Sequence, residues 1–397
     1  MQRDTLRILF LNAGHFFDHM FMLLFTTVVI ALEAEFGASY GTLLYFSTAG
    51  FVAFGAGALP AGWLGDRWSR AAMMVIFFIG IGASSILTGF AQTPLQIGLG
   101  LLAIGIFASI YHPCGIAMLV EGRERVGRIL GVNGLAGNMG VAAAGLVAGV
   151  LTDLISWRAA FIIPGLVSVL LGLAFWAFAR SEAAAGTLKR REARRAPTER
   201  AVMVRIFSVI VVSTTLGGII FNGTTVAMPK VIDERVASFA AGTSDVGILV
   251  ALIFAVAAFS QILVGHLIDK HPVKPIFLVA LSLQAPLLLL LTQLENLPMF
   301  VGALLLMCLV FGQIPIIDTL IARHSSDEWR SRIYAVKYVL ALGVAASAVP
   351  LVGFLHDWTG GFHIVFVLMA GFAAVIAAAG LLLPGGAQPA TQAAAGD

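Results

Sequence analysis

The sequence has few charged residues and few cysteines. Only 11% of its 397 residues are Asp, Glu, Lys or Arg, whereas a soluble globular domain has about 25%. Its hydrophobic share is 59% and its mean hydropathy is +0.96, which excludes a soluble domain because one of this length could not bury so much apolar surface. Its two cysteines, Cys114 and Cys308, both fall inside predicted helices, so no disulfide framework is expected.

Long apolar runs account for most of the chain. Each run of about 20 residues is long enough to cross roughly 30 Å of hydrocarbon. We therefore predict an all-α membrane protein with twelve transmembrane helices, at residues 8–32, 42–64, 71–91, 95–119, 129–153, 159–179, 204–229, 243–267, 273–293, 297–322, 332–355 and 361–383.

A polar, basic segment divides the spans into two sets of six. We predict an N-terminal six-helix bundle at residues 1–180, a basic cytoplasmic linker at 181–203, a C-terminal six-helix bundle at 204–384 and a disordered tail at 385–397. A basic run can bind nucleic acid, but in a membrane protein it more commonly sets the orientation. We therefore expect no nucleic-acid partner.

The placement of Lys and Arg predicts the orientation of the chain. Most of the 24 basic residues fall in the N-terminus, in the loops after even-numbered spans and in the linker. Cytoplasmic loops carry the excess of positive charge. We therefore expect a multi-pass protein of a bacterial inner membrane, monomeric in the lipid bilayer, with both termini in the cytoplasm.

The two sets of spans carry an internal repeat. The segment "GWLGDRWSR", Gly62–Arg70, follows the second span, and "GHLIDKHPVK", Gly265–Lys274, follows the eighth. A second match pairs "GVLTD", Gly149–Asp153, with "GFLHD", Gly353–Asp357. Repeated halves are typical of secondary transporters that hold their substrate near the midplane between the halves.

The first repeated segment has a mechanical interpretation. Its carboxylate is expected near the N-terminus of a neighbouring helix, where the helix dipole favours an anion, and its basic side chains are expected to pair across the gap. A contact of this kind holds in one arrangement of the halves and breaks in the other. We predict a conformational latch made of Asp66, Arg67, Arg70, Asp269 and Lys270.

The same residues support a family resemblance over roughly residues 5–385. Gly62, Leu64, Asp66, Arg67 and Arg70 resemble the loop signature of the major facilitator superfamily, as does "SWRAAF" at 156–161. This resemblance implies the major facilitator fold, with the first and fourth helices lining a central cavity between two six-helix halves.

Within that superfamily, "IYHPCGIAMLVEGRERVGRILGVNGLAGNMG" at 110–140 resembles the fosmidomycin-resistance-like efflux branch. The branch tends to show His-x-x-x-Asp in its first helix. This chain departs from that pattern, with His15 and His19 at that spacing and Asp18 one residue early. A Gly-Pro pair expected in the fifth helix of superfamily antiporters is also missing.

Ionisable side chains inside predicted spans are candidate functional residues. His15, Asp18 and His19 lie at i, i+3 and i+4, on one side of the first helix. His112 in the fourth helix lies at the same predicted depth, counted at about 1.5 Å of rise per residue. The resemblance implies that these groups face each other across the cavity.

Three interpretations of this group remain open. In the first, which we favour, Asp18, His15, His19 and His112 take up and release the coupling proton, since buried carboxylates and histidines titrate near physiological pH. In the second, a transition metal is bound by His15, His19, His112 and Cys114. In the third, the side chains only form structural hydrogen bonds between helices.

Further polar residues complete the predicted site. Tyr111 and Asn138 match the efflux-branch motif, and Asn222 is the residue onto which the repeat maps His19, so we predict that all three contact solute. Asp318 and Lys337 lie at equal depth and are expected to form an ion pair, either as part of the latch or as structural support. In the alternative, Lys337 reaches the interface and Asp318 is a second proton site.

These observations predict a proton-coupled secondary transporter that exports a small organic solute by alternating access. A transporter of metal ions or metal complexes is the second hypothesis, and a transporter-like sensor that moves nothing is the third. Enzymatic activity and a cofactor are not expected, because the sequence contains no nucleotide-binding loop, nucleophile elbow or cofactor motif.

Overall fold

A computed structural model describes residues 2–121, 127–183, 200–324, 337 and 339–383. All regular secondary structure in these residues is helical, so the chain is an all-α membrane protein as predicted. Most of the predicted linker (184–199) and the predicted disordered tail lie outside the described residues.

The first half contains helices α1 to α8. Their bounds are α1 Gln2–Phe36, α2 Tyr40–Tyr45, α3 Thr48–Leu64, α4 Arg70–Gly89, α5 Pro94–Ala108, α6 Ile116–Val120, α7 Gly127–Leu154 and α8 Trp157–Ala183. π-Helical turns occupy Gly65–Ser69 and Tyr111–Gly115.

The second half repeats this order from α9 onwards. Its helices are α9 Arg200–Arg235, α10 Thr243–Lys270, α11 Val273–Leu291, α12 Asn296–His324, α13 Ala348–Thr359 and α14 His363–Gly380. A π-helical turn at Val339–Val344 and a short 3-10 helix at Ala345–Ser347 precede α13.

The described residues contain ten helical stretches long and apolar enough to cross a membrane, against twelve predicted. One stretch, Tyr40–Gly89, covers the second and third predicted spans together. Ser69 separates them, because its backbone is extended and its Oγ accepts a hydrogen bond from Ala72 N at 3.2 Å, which caps α4. The eleventh predicted span lies partly outside the described residues.

The glycine-rich fifth span, in α7, packs closely against the eighth span, in α10. A Cβ added to Gly247 in α10 would lie 2.2 Å from the carbonyl oxygen of Gly145 in α7. A Cβ added to Gly149 would lie 2.3 Å from the carbonyl oxygen of Thr243. Small residues thus bring the backbones of the two halves together.

The two ends of the helix bundle differ in charge. The basic face is the end that carries Arg67, Arg70, Arg180, Lys270 and Lys274, and the acidic face is the end that carries Glu33, Glu35, Asp153, Asp233 and Asp357. At the acidic face the two halves are in contact, since Lys230 Nζ in α9 lies 2.6 Å from Glu33 Oε1 in α1.

Candidate proton and solute site

Two helices bring the predicted cluster together inside the first half. The ring centroid of His112, in the π-helical turn after α5, lies 5.3 Å from that of His15 and 5.6 Å from that of His19 in α1. Asp18 Oδ2 lies 3.5 Å from His112 Nε2. The equal depth that residue counting predicted therefore corresponds to direct contact.

The carboxylate of Asp18 is the most unusual group in this cluster. Its side chain is 0% exposed, and neither oxygen accepts a hydrogen bond from the residues that the structure describes. Burying an ionised carboxylate costs several kcal/mol unless partners compensate. In this arrangement the side chain therefore needs a proton or a nearby cation, and the imidazole of His112 is the closest group able to carry one.

His15 is held in place by a helix that the sequence analysis had not connected to it. Its Nδ1 lies 2.7 Å from the carbonyl oxygen of Asn133 in α7. Gly137 makes this approach possible, because a Cβ added there would lie only 2.6 Å from His15 Nε2. The Nε2 of His15 lies 3.1 Å from the Nε2 of His19.

Tyr111 supports His15 from the other side. The two rings stack with centroids 4.8 Å apart and planes 18° apart. The Tyr111 hydroxyl donates to the carbonyl of Leu11 at 2.9 Å and accepts from Asn133 Nδ2 at 2.8 Å. These contacts favour positioning of His15 over the solute contact predicted for Tyr111.

Asn133 is the residue that sequence reasoning missed. Its amide also donates to Asn12 Oδ1 at 3.0 Å, so it ties α1 to the fourth-span tyrosine. The signal was available in "NGLAGN", where Asn133 precedes Gly137 by one helical turn. Asn138, which was predicted instead, is buried in the same helix, and its side chain makes no hydrogen bond to the described residues.

Three of the four predicted metal ligands converge. One ligand atom from each of His15, His19 and His112 lies within 4.8 Å of the others. Cys114 does not join this group in the structure, because its Sγ lies against the second span, 3.6 Å from the carbonyl oxygen of Ala61. His112 and Cys114 are two residues apart on one helical turn, and side chains at that spacing do not face each other.

The candidate residues of the second half have partners within that half. Asn222 in α9 is partly exposed, and its amide donates to the carbonyl of Gly218 at 3.0 Å within its own helix. Lys337 Nζ and Asp318 Oδ1 form the predicted ion pair. Whether this pair is part of a latch stays a prediction.

A buried amide network in the second half was also missed. Gln284 Nε2 in α11 donates to Gln313 Oε1 in α12 at 3.3 Å, and Gln313 Nε2 donates to the carbonyl of Ser213 at 3.5 Å. Gln284 is 0% exposed. The two glutamines fall at matching depths in the ninth and tenth spans, which would have indicated the contact.

The predicted latch on the basic face is paired locally rather than across a gap. Arg70 Nη2 lies 2.6 Å from Asp66 Oδ1, four residues apart on one turn, and both are exposed. The guanidinium of Arg67 lies 4.9 Å from the ring centroid of Trp63. Asp269 and Lys270 are exposed and form no ion pair with the described residues. In this conformation Asp66 is paired with Arg70 on its own turn, and the role of these residues as a latch stays a prediction.

Comparison with protein families gives one match along most of the chain. The family model described as the Major Facilitator Superfamily matches residues 11–242 and 210–396. The Puromycin resistance protein pur8 of Streptomyces alboniger is 31% identical over 140 residues, which are 34% of this chain and 28% of that protein. The putative uncharacterized transporter YgaY of Escherichia coli K12 is 27% identical over 150 residues, 36% of this chain and 37% of that protein. The chain thus matches only about a third of the length of these curated relatives.

Solved structures share the fold over nearly the whole chain. A bacterial homolog of the human lysosomal transporter Spinster, in an inward-facing and occupied conformation, has a TM-score of 0.72 at 15% identity and covers 96% of this chain and 95% of its own. A D-xylose-proton symporter has a TM-score of 0.70 at 14% identity and covers 93% and 96%. At these identities the likeness shows the fold.

Proposed function

Because the chain belongs to the Major Facilitator Superfamily, we propose that it exports a small organic solute in exchange for protons, by alternating access across a bacterial inner membrane. The family and fold make it a multi-pass membrane protein and a secondary transporter. The single observation that carries the proton coupling is Asp18, fully buried, without a hydrogen bond from the described residues and 3.5 Å from His112.

The cluster suits proton exchange for an electrostatic reason. When Asp18 is protonated, it can remain in its dry environment. When water or solute enters the space beside it, ionisation becomes less costly and the proton can pass to His112 or to bulk water. His15, whose ring is fixed by Tyr111 and Asn133, keeps the acceptor imidazoles close to the carboxylate.

Export is supported by similarity and orientation. A relative named as a puromycin resistance protein shares 31% identity over part of this chain, and resistance of that kind is consistent with removal of a drug from the cell. The concentration of Lys and Arg on the basic face supports a cytoplasmic location for that face and for both termini. We expect the transporter to act as a monomer.

Drug tolerance in a host that lacks its own efflux pumps tests this function. Cells producing the protein should tolerate puromycin, or another antibiotic from a panel, better than cells with an empty vector. Asp18→Asn should remove that tolerance at an equal membrane level, whereas Asp245→Asn, a partly exposed control at the acidic face, should keep it. Equal tolerance with Asp18→Asn would exclude proton coupling through this residue.

A metal transporter is the second candidate, favoured by the three convergent histidines. Ligand atoms of His15, His19 and His112 lie within 4.8 Å of one another, and the Asn133 carbonyl bound to His15 Nδ1 resembles the outer-sphere acceptor common for metal-bound imidazole. Copper, zinc, cobalt, iron and manganese would each be titrated into purified protein while thermal stability is followed. A saturable rise in melting temperature that His15→Ala and His112→Ala both abolish would favour this candidate. No metal-specific rise would exclude it.

A further inference from the structure

The second repeated segment joins the two halves at the acidic face. Gly149–Asp153 lies at the end of α7 in the first half, and Gly353–Asp357 lies near the end of α13 in the second. In each segment a glycine precedes an aspartate by four residues, so both residues lie on one side of the helix. Each segment faces the start of a helix that belongs to the opposite half.

Asp153 binds the N-terminus of α10. Its Oδ2 accepts a hydrogen bond from Ser244 N at 2.7 Å. One turn earlier, the carbonyl of Gly149 accepts from Ser244 Oγ at 3.3 Å. A Cβ added to Gly149 would lie 2.3 Å from the carbonyl oxygen of Thr243, so glycine is needed for this approach.

Asp357 makes the equivalent contact in the opposite direction. Its Oδ1 accepts a hydrogen bond from Gly41 N at 3.0 Å, and its Oδ2 accepts from Ser39 Oγ at 2.5 Å, at the start of the second span. A Cβ added to Gly353 would lie 3.0 Å from Gly41 Cα. The first half therefore supplies one carboxylate to the second half and receives one from it.

The chemistry of these contacts is that of helix capping. The first N–H groups of a helix have no partner within the helix, and the positive end of the helix dipole stabilises a carboxylate placed there. Burial disfavours the ionised form of Asp357, but the hydrogen bonds from Ser39 and Gly41 outweigh it and lower the pKa of this carboxyl. A cap of this kind is ordinarily supplied from within the same segment of chain, whereas here each cap crosses between halves.

We propose that Asp153 and Asp357 form a paired latch that holds the acidic face closed and breaks whenever that face opens. The two aspartates act as positioning residues for the halves. The inference rests on the alternating-access part of the proposed function and is independent of which group carries the proton. It differs from the predicted latch on the basic face, where Arg70 pairs with Asp66 on its own turn.

Asp245 provides a matched control. It lies in the first turn of α10, beside the residue that Asp153 contacts, and its Oδ2 accepts from Ala241 N at 3.0 Å. This bond stays within the second half. Loss of Asp245 thus removes a cap at the same helix end without removing a contact between halves.

The test is a distance measurement between spin labels on the two halves at the acidic face. Labels would be attached to cysteines at Gln92 and Ser238, both exposed, after Cys114 and Cys308 are replaced by alanine. Removing one cap is expected to raise the ratio of long-distance to short-distance molecules roughly 5-fold, and removing both in Asp153→Ala/Asp357→Ala about 25-fold. Asp245→Ala should leave the distribution as it is in the parent protein.

A folded double variant with the parent distribution would overturn the proposal, as would an equal shift in Asp245→Ala. If the alanine variants do not fold, Asp153→Asn/Asp357→Asn keeps one acceptor oxygen and removes the charge, and a smaller shift in the same direction is expected. The measurement needs neither solute nor a pH gradient. A failure of proton coupling at Asp18 would therefore not be mistaken for failure of the latch.

Discussion

The two halves of this transporter bury different kinds of polar side chain. In the first half, Asp18 and three neighbouring histidines are side chains of the kind that can bind and release a proton. In the second half, Gln284 and Gln313 form a hydrogen bond through amide groups, which do not ionise. Both halves follow the same helix order, so the fold does not account for this difference.

The difference suggests a division of tasks between the halves. Proton exchange would belong to the first half, and hydrogen bonding to solute would belong to the second, through Asn222 and its partly exposed amide. The charged pair of the second half, Asp318 with Lys337, is neutral overall. The variants below test this division, from the largest expected effect to the smallest.

Asp18→Asn should abolish solute-driven proton movement. Asparagine is nearly the same size but cannot release a proton, and its amide introduces no charge into the buried site. Proton release would be followed with a pH-sensitive dye in vesicles that contain the purified protein. Variants Gln284→Ala and Gln313→Ala in the second half should retain proton movement if they fold. If these folded variants lost proton movement as Asp18→Asn does, the proposed division of tasks between the halves would be wrong.

Gly137→Ala should disturb the cluster through packing alone. Its new methyl group would lie 2.6 Å from His15 Nε2, and overpacking of this kind costs about 1–3 kcal/mol. We expect a lower melting temperature together with slower transport. Gly134→Ala, one turn earlier, is the control, because its Cβ would meet only Gln261 Oε1 at 4.0 Å. Equal effects of the two variants would argue against a specific role for the close contact between Gly137 and His15.

Asp318→Asn and Lys337→Met test the ion pair of the second half. Each single change leaves one charge without its partner, so each should destabilise the protein more than the double change does. A coupling energy of about 1 kcal/mol is expected, at the lower end for contacting residues because Asp318 is partly exposed. Thermal unfolding of the four proteins measures it, and strictly additive effects would contradict pairing.

Asn222→Ala should weaken solute binding without changing its dependence on the pH gradient. Loss of one hydrogen bond of about 1 kcal/mol corresponds to roughly a 5-fold loss of apparent affinity. The measurement is the concentration dependence of transport at two fixed gradients. An altered ratio between the gradients would assign Asn222 to coupling instead of solute binding.

The smallest effect concerns His356, a titratable group of the second half at the acidic face. Burial opposes its charged form, but the hydrogen bond and charge of Glu234 and Asp357 outweigh that cost and raise its pKa. Its stabilising contribution is therefore full below pH 6.5 and is lost as pH rises through the raised pKa. As pH rises from 6.5 through the raised pKa, the melting temperature of the parent protein should fall by on the order of 1–2 °C more than that of His356→Gln. An unchanged pH profile would show that His356 does not contribute.

Residue counting predicted the depth of polar groups better than their direction. His15 and His112 meet because both helices cross the bundle at a rise of about 1.5 Å per residue, so equal counts give equal depth. Cys114 follows His112 by two residues, and side chains at that spacing on a helical turn do not face each other. Asn133 and the pair of glutamines were missed because the rotation of each helix about its axis is set by packing between helices.

The charged loops teach a similar limit. The sequence repeat pairs Asp66 with Asp269, but it does not specify their partners in this conformation. The shorter repeat at Asp153 and Asp357 is visible in the sequence only as two similar five-residue segments. Its contacts between halves depend on which helix starts lie opposite, and that follows from the tertiary arrangement alone.

The carbonyl of Asn133 has a consequence for the placement of hydrogen atoms in the cluster. A carbonyl oxygen can only accept, so the contact at 2.7 Å requires the hydrogen of neutral His15 to be on Nδ1. Its Nε2 then carries a lone pair, and the 3.1 Å contact is satisfied when His19 donates from Nε2. The backbone of α7 thus selects one tautomer of each ring, and hydrogen bonds run in a single direction from His19 through His15 to the main chain.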